Sequence, residues 1–133
     1  MRRRFGVALV ILAAIGSRAS ADSTSIGNYG AWQVLSSPSK TAYAAGAFDM
    51  LALPSSGTVE DNADAIGLAT CALADGFNPR MLADLVDRRY VAHPDEWGWS
   101  AASVLSAALL DVCEQQMNAV RHRAGLAAMT PHP

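Results

Sequence analysis

The residues whose types best suit chemistry lie together in the segment "RRYVAHPDEWGWSAASVL", residues 88–105. His93 stands within three residues of Asp95 and Glu96, and two tryptophans follow. Histidine and carboxylate side chains form general acid–base pairs and metal sites, so this cluster could belong to an active site. It could equally be the turn between two helices, or a surface that recognises another molecule. The surrounding sequence is needed to choose between these interpretations.

The catalytic interpretation lacks its supporting residues. Ser100 is a potential nucleophile beside the cluster, but no separate group near it in the sequence would orient a base. The other histidines, His122 and His132, lie in or beside the C-terminal tail. We therefore predict that the chain is not an enzyme and that it needs no metal or cofactor.

Local chemistry favours a structural turn. Pro94 disfavours helical geometry at His93, so a helix is expected to end there. Two acidic residues after the proline suit the start of the next helix, and large aromatic residues beside a turn commonly fill the edge of a core. The alternative is a binding surface, because aromatic side chains and carboxylates are typical of interaction hot spots. The candidate partner-binding residues are His93, Asp95, Glu96, Trp97 and Trp99.

The N-terminus has the pattern of a secretory signal peptide. Arginines at residues 2–4 precede the apolar run "FGVALVILAAIG" of residues 5–16, and "ASA" at residues 19–21 offers small residues for cleavage. The apolar run is shorter than the roughly 18 apolar residues that span a bilayer. We predict that residues 1–21 are removed, that the protein is periplasmic or secreted, and that it is not inserted in the membrane afterwards.

The predicted mature chain is small and acidic. Four of the ten Lys and Arg residues lie in the leader, whereas all twelve Asp and Glu residues follow it, so six basic residues remain and the net charge is −6. Such a balance argues against nucleic acid as a partner and favours a basic protein. A chain of this length forms one small domain.

The two cysteines, Cys71 and Cys113, are predicted to form a disulfide, because exported proteins mature in an oxidising compartment. The competing interpretation is a pair of metal ligands. It is disfavoured because no CxxC motif or histidine cluster accompanies the pair.

Apolar residues recur at helical spacing after this leader, and no segment shows sustained alternation of period two. We predict a flexible lead-in over residues 22–36, an all-α domain of about four helices over residues 37–123, and a disordered tail over residues 124–133. Within the lead-in, "AWQVLSS" is expected to be a short helix or an extended piece. Pro38 after Ser37 marks the first helix start, and "PSSG" at residues 54–57 ends that helix.

Three further helices follow in this prediction. The second ends at Gly76, and Asn78 with Pro79 begins the third, which should end at His93. The fourth begins near Ser100 and continues towards residue 123. The apolar face of the second helix is predicted as Ile66, Ala69, Thr70 and Leu73. The buried stripe of the third is predicted as Leu82, Leu85, Val86 and Tyr90, and that of the fourth as Val104, Leu105, Ala108, Leu109, Val112 and Cys113.

Three blocks together resemble a known family. They are "AYAAGAFDML" (42–51), "CALADGFNPRMLADLVDRRYVAHPDEW" (71–97) and "SAASVLSAALLDVC" (100–113), and in this order they are similar to the Rap/Tai immunity proteins of type VI secretion. The pattern departs at Ala42, where the family has Gly, and at Met81, where it has Gln. A second cysteine pair common in the family is absent near residues 35–40, so the chain resembles a divergent member.

The resemblance implies a small all-α periplasmic protein that binds and blocks a peptidoglycan amidase effector by occluding its active site. Members of the family are often dimers, so a homodimer is one arrangement that the resemblance implies. The alternative from a different class is a small disulfide-linked helical stress protein or acid-activated chaperone of the periplasm. Protonation of its carboxylates would then loosen the packing and expose apolar helices.

Overall fold

The structure is a computed structural model and describes residues 26–55 and 57–129. Within these residues the chain is all-α and contains five helices and no strand. The helices are α1 (Tyr29–Gln33), α2 (Ser37–Ala52), α3 (Val59–Asp75), α4 (Pro79–Ala92) and α5 (Ala101–Arg123). A single 3₁₀ turn, Pro94–Glu96, lies between α4 and α5. The all-α prediction and the four principal helices are confirmed. The predicted signal peptide lies outside the described residues.

Capping residues set the starts of the long helices. Ser36 caps α2, one residue earlier than predicted, and its hydroxyl accepts a hydrogen bond from the amide of Ser39. The Asn78 side chain accepts from two amides at the start of α4, as the sequence predicts. Thr58 and Asp61 form a reciprocal capping box on α3. In that box, the backbone and side chain of Thr58 lower the pKa of the Asp61 carboxyl below its usual value.

Helix α5 is the central element and packs against α2, α3 and α4. Its buried face includes Leu105, Leu109 and Met117, which join Tyr90 of α4 in one apolar core. A disulfide between Cys71 of α3 and Cys113 of α5 lies within this core, which confirms the predicted pairing. None of the described helices has the length and hydropathy needed to cross a membrane.

The predicted apolar face of α3 is wrong. Ile66 is 47% exposed and Leu73 is 85% exposed, whereas the smaller residues Gly67 and Cys71 are buried. A Cβ added at Gly67 would lie 2.8 Å from the Cα of Met117. The two helix backbones therefore approach closely, and close approach selects small residues at the contact instead of the largest apolar ones. Val112 of α5, at 45% exposure, is likewise outside the core to which the sequence assigned it.

The segments before and after the helical domain also differ from their predictions. Within the predicted flexible lead-in, α1 carries Trp32, which is completely buried. Its indole nitrogen donates to the Asp87 carboxylate of α4 at 2.7 Å, and Lys40 of α2 binds the same oxygen at 2.8 Å. The predicted disordered tail is placed over residues 124–129, where the amide of Met129 donates to the Asn118 side chain. Burial of Trp32 and of part of Met129 accounts for both corrections.

Candidate functional site

The turn after α4 is built around an internal ion pair. Glu96 is only 3% exposed, and both of its carboxylate oxygens accept hydrogen bonds from the Arg89 guanidinium, one of them at 2.7 Å from Nε. Asp111 of α5 accepts from the same guanidinium. Hydrogen bonding to Glu96 raises the pKa of Arg89 above its usual value. Glu96 therefore holds the turn, and we do not retain it as a partner-binding residue.

Trp97 packs against neighbouring residues of the fold, although 48% of its surface is exposed. Its indole nitrogen donates to the backbone carbonyl of Tyr90 at 2.8 Å, and its ring stacks on Tyr29 with a centroid separation of 4.9 Å. The Tyr90 hydroxyl donates to the carbonyl of Trp99 at 2.8 Å. Burial, followed by the nearby Tyr43 and Glu96, raises the pKa of Tyr90 to about 12. These contacts support the interpretation of the segment as a structural turn that joins α1, α4 and α5.

Four of the five candidates, His93, Asp95, Glu96 and Trp99, line one large surface groove together with the end of α4 and one side of α5. We call this the acidic groove. Its volume is about 1020 Å³. The turn forms one end, and the other end is formed by the start of α3, Arg121 of α5 and the C-terminal segment at Met129. Four of the predicted residues therefore contribute to a concave surface, whereas Trp97 packs within the turn.

Carboxylates outnumber the basic side chains in the lining of the acidic groove. The six acidic residues are Glu60, Asp64, Asp95, Glu96, Asp111 and Glu114. Two arginines face them: Arg89 is paired with Glu96 and Asp111, and Arg121 with Glu60 and Asp64. Six negative charges against two positive charges leave the groove at −4 when His93 is neutral. Asp95 and Glu114 form no ion pair with another described residue.

The floor of the acidic groove is made mostly of small and apolar side chains. Helix α5 contributes Ala102, Ser103, Ser106, Ala107 and Leu110, which recur at helical spacing on the side opposite its core face. Leu51 and Met129 add apolar surface at the sides, and Trp99 is 48% exposed at one end. Small residues allow another chain to approach the helix closely, and the half-exposed indole provides an aromatic anchor.

Sequence reasoning missed most of this groove. It assigned no role to Arg121, because the partner of this charge is distant in the sequence: Arg121 Nη1 lies 2.8 Å from Asp64, 57 residues earlier. Among the described residues, no group of three or more His, Cys, Asp or Glu side chains is arranged to hold a metal ion.

Comparisons with known proteins do not assign the chain to a family. No family model, curated protein or solved structure matches it. The resemblance to the Rap/Tai immunity proteins therefore stays a prediction from the sequence blocks.

Proposed function

We propose that this chain is a periplasmic immunity-type binding protein that inhibits a peptidoglycan amidase effector by occluding the active site of the effector. The acidic groove is the observation that carries the binding role. It is concave, and it combines small and apolar side chains of α5 with six carboxylates. The amidase as the target comes from the sequence resemblance.

The rigidity of the groove supports a binding role. Its floor is one side of α5, whose opposite side lies in the core and is joined to α3 by the Cys71–Cys113 disulfide. Both groove arginines are fixed by two carboxylates each, so their positions are set before any partner arrives. A preorganised surface loses little conformational freedom on binding, which favours affinity. Negative charge at the rim would also accelerate encounter with a basic partner.

The test uses the mature chain, residues 22–133, expressed in the periplasm as bait for the secreted and neighbour-encoded proteins of its own organism. We expect recovery of one cell-wall hydrolase in near-stoichiometric amount, and loss of its peptidoglycan-cleaving activity when the mature chain is added back. Matched variants are Trp99→Ala in the groove and Val91→Ala, another exposed apolar residue outside the groove. Recovery of a hydrolase that remains fully active in the complex would contradict inhibition.

A second candidate is the acid-activated chaperone, which one observation favours. Large apolar side chains are exposed on α3 at Ile66 and Leu73, and such residues could contact unfolded clients. A chaperone would suppress aggregation of many unrelated proteins at low pH, whereas an immunity protein would not. Light scattering of a denatured client, with and without the chain at pH 3 and pH 7, separates the two functions.

A further inference from the structure

The charges that remain after internal pairing indicate what the acidic groove accepts. Arg89 and Arg121 are each bound by two carboxylates, so neither can neutralise further negative charge. Asp95 lies on the turn at one end of the groove, and Glu114 lies on α5 beyond Leu110. No described cation pairs with either one. An occupant that supplies positive charge at both places would complement the groove.

The dimensions and floor of the groove indicate a polypeptide segment. The groove extends along α5 from Ala102 to Glu114, twelve residues further on, which is a length of about 18 Å along the helix axis at ~1.5 Å per residue. This length corresponds to about five or six extended residues or about three helical turns of a partner. The small side chains Ser103, Ser106 and Ala107 permit close approach of a backbone. Trp99 and Leu110 offer apolar contact to a side chain of the segment.

We propose that the acidic groove binds a basic segment of a partner protein, in which lysine or arginine side chains pair with Asp95 and Glu114 and an apolar side chain contacts Trp99. This inference rests on the proposed function for the identity of the partner, but the groove chemistry stands by itself. The segment would belong to the inhibited enzyme, so the groove would determine which effector is recognised. Binding would weaken as ionic strength rises, because the rim charges are exposed to solvent.

The direct test uses a synthetic probe that does not depend on the effector. A 12-residue peptide with lysine at every third or fourth position and alanine and leucine between is titrated into the mature chain at low salt. Its control has glutamate in place of lysine. We expect the lysine peptide to shift the tryptophan emission and the glutamate peptide to have no effect. In Trp99→Phe the shift should disappear, because Trp32 is buried and Trp97 is stacked on Tyr29 outside the groove.

Charge reversal locates the binding surface. The double variant Asp95→Lys with Glu114→Lys should lower the affinity for the lysine peptide by about tenfold or more at low salt. The control double variant, Asp49→Lys with Asp84→Lys, changes the net charge equally at exposed residues outside the groove and should change affinity much less. Circular dichroism of both variants confirms that they remain folded. Equal weakening by the two double variants would show that general charge attraction, and not the groove, binds the peptide.

The outcomes separate this inference from the proposed function. Peptide binding that the groove variants abolish, together with failure to recover a hydrolase, would retain the groove and reject the immunity role. Recovery of an inhibited hydrolase whose affinity is unchanged in Asp95→Lys with Glu114→Lys would retain the immunity role and overturn the groove as its contact. A concentration-dependent change in Trp99 emission without any peptide would indicate that a second copy of the chain occupies the groove, and would also overturn the inference.

Discussion

Replacing Glu96 by alanine should destabilise the protein strongly, although the residue lies in a short turn near the surface. Glu96 is 3% exposed, and its carboxylate binds an arginine whose side chain is 12% exposed. Removal of one partner from a buried pair costs roughly 3–5 kcal/mol, because the other charge is left without compensation. Arg89 retains Asp111, whose side chain is 64% exposed, so we expect the lower end, about 3 kcal/mol. For a domain of this size, that loss lowers Tm by about 12 °C.

Urea unfolding followed by circular dichroism measures the effect. The neighbouring variant Asp95→Ala serves as the control, because Asp95 is exposed and forms no ion pair with a described residue, and its effect should stay within about 0.5 kcal/mol. Glu96→Gln separates charge from packing, since it preserves the size of the side chain while removing the negative charge. We expect it to cost about 2 kcal/mol. If Glu96→Ala unfolds at the same urea concentration as Asp95→Ala, the structural role assigned to the Arg89–Glu96 pair is wrong.

The disulfide, the α3–α5 contact and the Tyr90 hydroxyl can each be tested separately. Replacing Cys71 and Cys113 together by alanine should lower the free energy of unfolding by about 4 kcal/mol, as measured by urea unfolding, because the disulfide joins residues 42 apart in sequence; a loss below 1 kcal/mol would contradict this. Gly67→Ala should lower the free energy of unfolding by about 2 kcal/mol, because the added Cβ forces α3 away from α5. Gly46→Ala, where an added Cβ meets nothing within 4 Å, should be neutral or stabilising in the same urea assay. The raised pKa of Tyr90, about 12, means that its stabilising contribution is complete below pH ~10 and is lost as the pH rises through 12. Ultraviolet titration of the protein and of Tyr90→Phe measures this, because the difference between the two curves is the ionisation of Tyr90; a difference centred near pH 10 would refute the prediction.

Local signals in the sequence predicted the helices well. Asn78 with Pro79 marks the start of α4, and Gly76 ends α3 with a positive φ of 64°. Both effects depend on residues within one or two turns, so they can be recognised without knowledge of the fold. The 3.6-residue period also identified most of the buried faces of α4 and α5.

The orientation of α3 shows where the periodic pattern fails. Ile66 and Leu73 are the larger apolar residues, but the face that meets α5 is the one that carries Gly67 and Cys71. The predicted disulfide contained the missing information, because a bond from Cys71 to Cys113 requires that face of α3 to point towards α5. Hydrophobicity gave the wrong face, and a covalent constraint would have corrected it.

The acidic groove could not be predicted from the sequence, for a different reason. Its charge depends on which carboxylates are neutralised, and Arg121 finds Asp64 and Glu60 only after α3 and α5 pack together. The segment around His93 has residues with both structural and groove-lining positions. Glu96 and Trp97 hold the turn, and Glu96 also lines the groove together with Asp95 and Trp99.

Titration of the co-purified cell-wall hydrolase with the mature chain, while peptidoglycan cleavage is followed, tests the proposed inhibition itself. If the chain occludes the active site tightly, hydrolase activity falls linearly and reaches zero at one equivalent of the chain. Asp95→Lys with Glu114→Lys should shift the end point to a large excess. A hydrolase that retains full activity at several equivalents of folded, disulfide-bonded protein would contradict the proposed function.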